Sequence, residues 1–106
     1  PRSEYPTNKK YKSTYVREGS SIGANATIVC GNTLGKYCFV GSGTVVTKDI
    51  PNNALVVGNP SRIIGWVGES GERLSIKGDE GFDEVLDHKY SIIYEKNEIN
   101  NVEKIQ

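Results

Sequence analysis

The side chains able to do chemistry are few, and their spacing excludes more than it offers. His88 is the single histidine, so no His-rich site, zinc or triad, can be built from this chain alone. Cys30 and Cys38 stand eight residues apart, which is not the C-x-x-C spacing of a metal or redox pair, and two cysteines make no disulfide framework. Both read as free thiols, Cys38 as a small core residue. Asp79, Glu80, Asp83, Glu84 and Asp87 crowd together without the spacing of a calcium loop, and a solvated face accounts for them. What remains is cationic: thirteen lysines and arginines, Arg2, Lys9 and Lys10 among them near the start. A guanidinium forks onto phosphate oxygens, and an ammonium meets them as a point charge. No catalytic residue and no metal ligand can be named.

Such groups act only where a backbone holds them. Valine and isoleucine total 20, against four leucines and three alanines, and β-branched side chains fit a pleated surface better than a helix. From Val16 the chain repeats in steps of six: Val16, Ile22, Ile28, Leu34, Val40, Val46. The fifth place of each hexad holds Ser20, Ala26, Asn32, Cys38, Thr44 and Ile50, mostly small, and Gly23, Gly35 and Gly41 follow three of the aliphatics. A period of six is that of a β-solenoid, in which each hexad supplies one short strand and a corner. The aliphatic points to the axis, the small residue fits beside it, and glycine is expected to relax the corner. Val16–Thr33 and Leu34–Pro51 then form two coils, and Asn53–Val57 begins a third. Repeat stacks generally need about three units. The expectation is therefore both that further coils precede Pro1 and that neighbouring chains supply the missing burial.

The flanks differ in charge. Residues 1–66 carry eight basic and three acidic side chains, a net +5, whereas 67–106 carry five and ten, a net −5. Residues 1–15 read as an extended basic loop. Tyr5, Tyr11 and Tyr15 are interleaved in it, but without a recognition module they do not make a nucleic-acid site. Residues 16–62 are the solenoid, and 63–106 an acidic, mixed extension. The spacing of Phe82, Val85 and Leu86 predicts a short helix there. Tyr90–Tyr94 and Ile99–Ile105 predict a hairpin about Lys96-Asn97. This tail is expected to cap the open strand edge of the stack or to pack on a neighbouring subunit. No apolar run approaches the roughly 18 residues of a membrane span, and no secretory start is present, so a soluble, cytoplasmic chain is expected.

The run from Gly41 to Trp66, GSGTVVTKDIPNNALVVGNPSRIIGW, resembles the closing segment of the hexapeptide-repeat acyltransferases. The wider stretch from Tyr11 to Leu74 is most similar to the N-acetyltransferases of nucleotide-linked amino sugars. The resemblance implies an all-β fold, a left-handed parallel β-helix acting as a homotrimer. It implies transfer of an acetyl group from acetyl-CoA to the amino group of a UDP- or dTDP-sugar in surface-polysaccharide synthesis. It also implies site residues. Ala24 and Ser42 would line the pantetheine arm, with Gly41 and Gly43 permitting its close approach. Lys48 and Arg62 would meet the phosphates, with Thr47 part of the same cofactor site, and Pro60 would offer a flat face to the adenine. The residues that hold the amino sugar in this family lie largely in coils before Pro1, and His88 is not their counterpart.

Acetyl transfer to an amine needs a thioester held still, a free amine beside it and donors for the developing oxyanion. Two alternatives stay open: an O-acetyltransferase or other small-molecule acetyltransferase of the same fold, and a non-catalytic solenoid serving as a trimerisation module.

Overall fold

A computed structural model describes residues 12–105; Arg2, Lys9, Lys10 and most of the basic loop lie outside the described residues. Six two-residue strands succeed one another: β1 (Tyr15–Val16), β2 (Ser21–Ile22), β3 (Thr27–Ile28), β4 (Thr33–Leu34), β5 (Phe39–Val40) and β6 (Val45–Val46). Each of the first three pairs in parallel with the strand three further on. Val16 lies opposite Leu34, Ile22 opposite Val40, and Ile28 opposite Val46. Every pairing joins residues 18 apart, three hexads.

The aliphatics thus form tiers. Leu34, Val40 and Val46 in the second tier are completely buried, whereas Val16 and Ile22 in the first are 52% and 43% exposed. The second tier is covered from both sides, and full burial of each such side chain contributes roughly 1.5–3 kcal/mol. Cys38 and Thr44 are buried beside it, small enough to share a narrow interior.

The glycines act differently from expectation. Positive φ falls on Gly19, Asn25, Gly31, Tyr37 and Gly43, every sixth residue, and not on Gly23, Gly35 or Gly41. At Gly23 the requirement is space: an added Cβ would lie 2.6 Å from the Ser42 amide nitrogen in the next tier. A bare α-carbon lets the tiers stack.

The third tier arrives early. Ile50 bridges to Leu34, and Val56 of β7 (Ala54–Val57) pairs with Val40, both 16 residues apart. The corner after Val46 holds only Thr47, Lys48 and Asp49. Ile50, assigned by the hexad count to a small fifth place, is therefore a buried axial residue. β8 (Arg62–Trp66) then turns back antiparallel to β7 and ends the parallel stack.

From there the chain forms an antiparallel sheet of β9 (Ser75–Lys77), β10 (Glu80–Asp83), β11 (His88–Glu95) and β12 (Glu98–Lys104). The helix expected at Phe82–Leu86 does not form, and the described residues contain no helix. Phe82 lies on β10, and Asp83 Oδ1 accepts the amides of Val85 and Leu86 at 3.1 and 3.2 Å. A side chain that bonds its own backbone in this way offers the chain a turn in place of a helix. Val85 and Leu86 are exposed, so their spacing marks no buried face. The tail is all-β rather than mixed. Lys96 and Asn97, both with positive φ, make the two-residue turn between β11 and β12, the geometry that suits the twist of paired strands.

One core joins the two parts. Leu34, Val40, Val46, Ile50 and Val56 continue into Trp66, Leu74, Tyr90, Ile92 and Val102. The antiparallel sheet thereby packs on the end of the stack that carries the third tier.

Candidate functional site

The two-residue shortening shapes the surface. Because Ile50 must reach the axis three residues after Thr47, the Thr47-Lys48-Asp49 corner is pulled tight while all three side chains stay exposed. Asp49 is used at once: its Oδ1 accepts the Thr33 amide at 2.8 Å. It therefore ties this corner to the neighbouring tier, 16 residues back in the sequence, and among the described residues it forms no ion pair with Lys48.

The opposite wall comes from the connection between β7 and β8. The amide of Val45 donates to the Gly58 carbonyl, and the amide of Ser61 donates to the Val45 carbonyl, both at 3.0 Å. These bonds lay Gly58–Ser61 along the edge of β6, with the Asn59–Pro60 peptide cis. Ser61 is buried, and Pro60 and Arg62 on either side of it are exposed.

Between the walls runs a groove of about 560 Å³, lined by Thr47, Lys48, Pro60 and Arg62 at its rim, with Ile50, Val56, Ser61 and Ile63 among the remaining residues. Its size lies within the range of about 300–1,000 Å³ usual for small-molecule sites. Val56 and Ile50 are nearly or fully buried and form an apolar floor. Among the described residues neither Lys48 nor Arg62 has an ion-pair partner. The Asp49 carboxylate also lines the groove, engaged by the Thr33 amide; an apolar floor under two cations without ion-pair partners among the described residues fits a ligand with a flat apolar part and phosphate groups.

Ala24, Gly41, Ser42 and Gly43 are not in this groove. They form a neighbouring cluster at the corner that precedes β3 and β6. The Gly43 amide donates to the Ala24 carbonyl at 2.9 Å, so these residues stack one tier apart, with Ala24, Ser42 and Gly43 exposed. The eight residues singled out from sequence thus fall into two groups of four, flanking the β3–β6 ladder. Ile50, Val56, Ser61 and Ile63 were missed. A signal was available, because Asn52 stands where the next hexad should place an aliphatic, which marks the shortened corner.

The remaining reactive groups lie outside this groove, and His88 Nδ1 is buried without a hydrogen-bond partner among the described residues. Burial pushes the Cys38 thiol up to about 11, outweighing a backbone hydrogen bond that lowers it, while Cys30 is exposed. Asp83 is buried among four hydrogen bonds, and Glu80 pairs with Lys89 at 2.7 Å. The described residues include no helix long and apolar enough to cross a membrane.

No family model matches the chain. Over 54 residues, 51% of the chain, it is 59% identical to a dTDP-3-amino-3,6-dideoxy-alpha-D-galactopyranose 3-N-acetyltransferase of Aneurinibacillus thermoaerophilus, spanning 28% of that protein's length. A serine acetyltransferase solved in complex with cysteine matches 58% of the chain and 24% of its own, at 34% identity and a TM-score of 0.53. A hexapeptide-repeat acetyltransferase of Vibrio cholerae, solved with acetyl coenzyme A, matches 52% of the chain and 30% of its own, at 34% identity and a TM-score of 0.51. The chain thus spans about a quarter to a third of the length of these three proteins. The relatives and structural neighbours of this chain are hexapeptide-repeat acetyltransferases, the superfamily that its six-residue spacing and its Gly41–Trp66 run resemble.

Proposed function

We propose that residues 16–62 are two to three coils of a left-handed parallel β-helix, set between a basic loop over 1–15 and an acidic extension over 63–106. In this reading the segment is the donor-binding end of an acetyl-CoA-dependent N-acetyltransferase. The acceptor is the amino group of a UDP- or dTDP-linked amino sugar in surface-polysaccharide synthesis. The working unit is a homotrimer in the cytoplasm, where acyl donor and nucleotide sugar meet.

The observation that carries this reading is the convergence of Thr47, Lys48, Pro60 and Arg62 on one groove with an apolar floor. Lys48 and Arg62 hold the phosphates of the donor, Thr47 adds a hydroxyl, and Pro60 faces the adenine. The stacked corners at Ala24 and at Gly41-Ser42-Gly43 guide the pantetheine arm along the neighbouring edge, where backbone without large side chains allows close approach. The bound thioester supplies the acetyl group; its carbonyl carbon forms a bond to the neutral amine, the C–S bond breaks, and the amine proton leaves with the thiolate. This chain's part is to hold the donor still, which is itself a large share of such a rate enhancement.

Similarity to an amino-sugar N-acetyltransferase supports the sugar as acceptor. The serine acetyltransferase neighbour favours a second reading, an O-acetyltransferase or other small-molecule acetyltransferase on the same donor site. A trimerisation module without catalysis is the third.

Calorimetric titration of coenzyme A into the purified protein, with its mass in solution measured in parallel, tests the reading. Micromolar binding that weakens about tenfold in Lys48→Ala or Arg62→Ala is expected, the loss of a charge-assisted contact. A folded protein that binds no coenzyme A would leave the module reading standing. Thiol release with UDP- and dTDP-amino sugars, set against serine, separates the two acetyltransferase readings.

A further inference from the structure

Past Ile63 the surface holds a second groove, of about 540 Å³, which the donor site does not use. Ile63, Ile64, Ile76 and Ile99 line it, and Arg73 and Glu98 stand in its walls. Ile63 and Ile64, on the edge strand β8, are 45% and 48% exposed. Contiguous bare aliphatic surface of this kind marks contact sites more often than chance.

Arg73 is held at this groove by two independent features. Its Nη2 donates to the Ile64 carbonyl at 2.9 Å. Its guanidinium also lies against Gly65, where an added Cβ would come within 3.1 Å of Nε and Nη2. The group is therefore pre-oriented, and the backbone bond spends only part of its five-donor fork. Among the described residues Arg73 has no ion-pair partner. The structure offers an apolar trough with an oriented cation in one wall and a carboxylate, Glu98, in another.

We propose that this groove binds an amphiphilic monoanion, a carboxylate or sulfonate on an apolar body, with the anion on the Arg73 guanidinium and the body along Ile63, Ile64, Ile76 and Ile99. Glu98 disfavours ligands of higher negative charge. The inference stands apart from the donor reading, with which it shares only the side chain of Ile63.

The test uses two fluorescent probes titrated into the intact chain: 8-anilinonaphthalene-1-sulfonate and its neutral counterpart N-phenyl-1-naphthylamine. Saturable binding of the sulfonate, displaced by octanoate, is expected. Arg73→Gln should weaken the sulfonate about tenfold, the scale of a lost charge-assisted contact, and leave the neutral probe unchanged. Ile64→Asp, at an exposed position, should weaken both probes. Lys48→Ala and Arg62→Ala should alter neither. Should Arg73→Gln fail to fold, Glu98→Gln decides the matter, because removing the like charge should tighten the sulfonate. The proposal is overturned by sulfonate affinity that is indifferent to Arg73→Gln and Ile64→Asp, by a sulfonate site that is lost with Lys48 or Arg62, or by Glu98→Gln that leaves affinity unchanged or lower.

Discussion

Asp83 accepts both hydrogen bonds that Ser70 can donate, from the hydroxyl at 2.8 Å and from the amide at 3.0 Å. The same carboxylate takes the amides of Val85 and Leu86, so one buried side chain clips two loops that are far apart in sequence. Four donors around a single carboxylate form a network in which each bond depends on the others. Asp83→Ala removes every acceptor at once and leaves those amides and the Ser70 hydroxyl without their partner. A loss of about 2–4 kcal/mol is expected in denaturant unfolding, against about 1–2 kcal/mol for Asp83→Asn, which keeps one oxygen. A loss below about 0.5 kcal/mol for Asp83→Ala would mean the clip is not structural.

The clip also sets an acid limit. Burial by itself raises the Asp83 carboxyl, but hydrogen bonds from the Ser70 amide and hydroxyl and from Leu86 and Val85 hold it below its ordinary value of 3.8. A carboxyl depressed in the folded state contributes stability that is present above its unfolded pKa and lost as pH falls through the folded value. Unfolding followed by circular dichroism should thus show stability declining below about pH 4, and Asp83→Asn should flatten that decline. An identical acid limb in the variant would assign the decline to other carboxylates.

Tier position decides what an aliphatic contributes. Ile50 and Val16 are both β-branched, yet Ile50 is buried beneath Leu34 whereas Val16 is half exposed. Ile50→Ala should cost about 2–4 kcal/mol, transfer plus cavity, and Val16→Ala under about 1 kcal/mol. Equal costs measured by urea unfolding would contradict the third-tier role of Ile50.

This contrast also explains what could be read in advance. The pairing of Val16 with Leu34, Ile22 with Val40 and Ile28 with Val46 follows from a period that only a stacked parallel arrangement satisfies. Counting failed where the period failed. The hexad frame runs on to Asn52, while the chain places Ile50 on the axis, because a buried isoleucine outweighs the register of a corner. The tail misled for a related reason: Phe82, Val85 and Leu86 have helical spacing, but Asp83 bonds the local amides first. The resemblance singles out Lys48 and Arg62, yet the floor of Ile50 and Val56 beneath them becomes visible only once the shortened corner is known.

Fork geometry separates charge from shape at the groove. If Arg62 grips a phosphate through two parallel N–H bonds, Arg62→Lys keeps the charge and loses the fork. Coenzyme A affinity should then fall by about three- to tenfold in Arg62→Lys, and nearly as far as in Arg62→Ala. Raising salt from low to molar concentration should weaken binding in the native chain and in Arg62→Lys more than in Arg62→Ala, since exposed charges are screened. Full retention of affinity in Arg62→Lys would make Arg62 a point charge only.

The two thiols should part company in reactivity. Cys30 is exposed and Cys38 buried, and burial raises Cys38 from 9.0 to about 11. Thiolate, not thiol, is the nucleophile, so at pH 8 Ellman's reagent should titrate one thiol quickly and the second only in denaturant. The same shift carries a stability consequence. A group whose folded pKa is raised leaves stability intact below its unfolded value and erodes it as pH climbs through the folded one. Between pH 9 and about 11 the native chain should therefore lose stability that Cys38→Ala does not lose, although Cys38→Ala starts lower by the cost of a small cavity. Parallel alkaline limbs in the two proteins, or rapid labelling of both thiols under native conditions, would show that Cys38 is reached by solvent and that the second tier is not sealed around it.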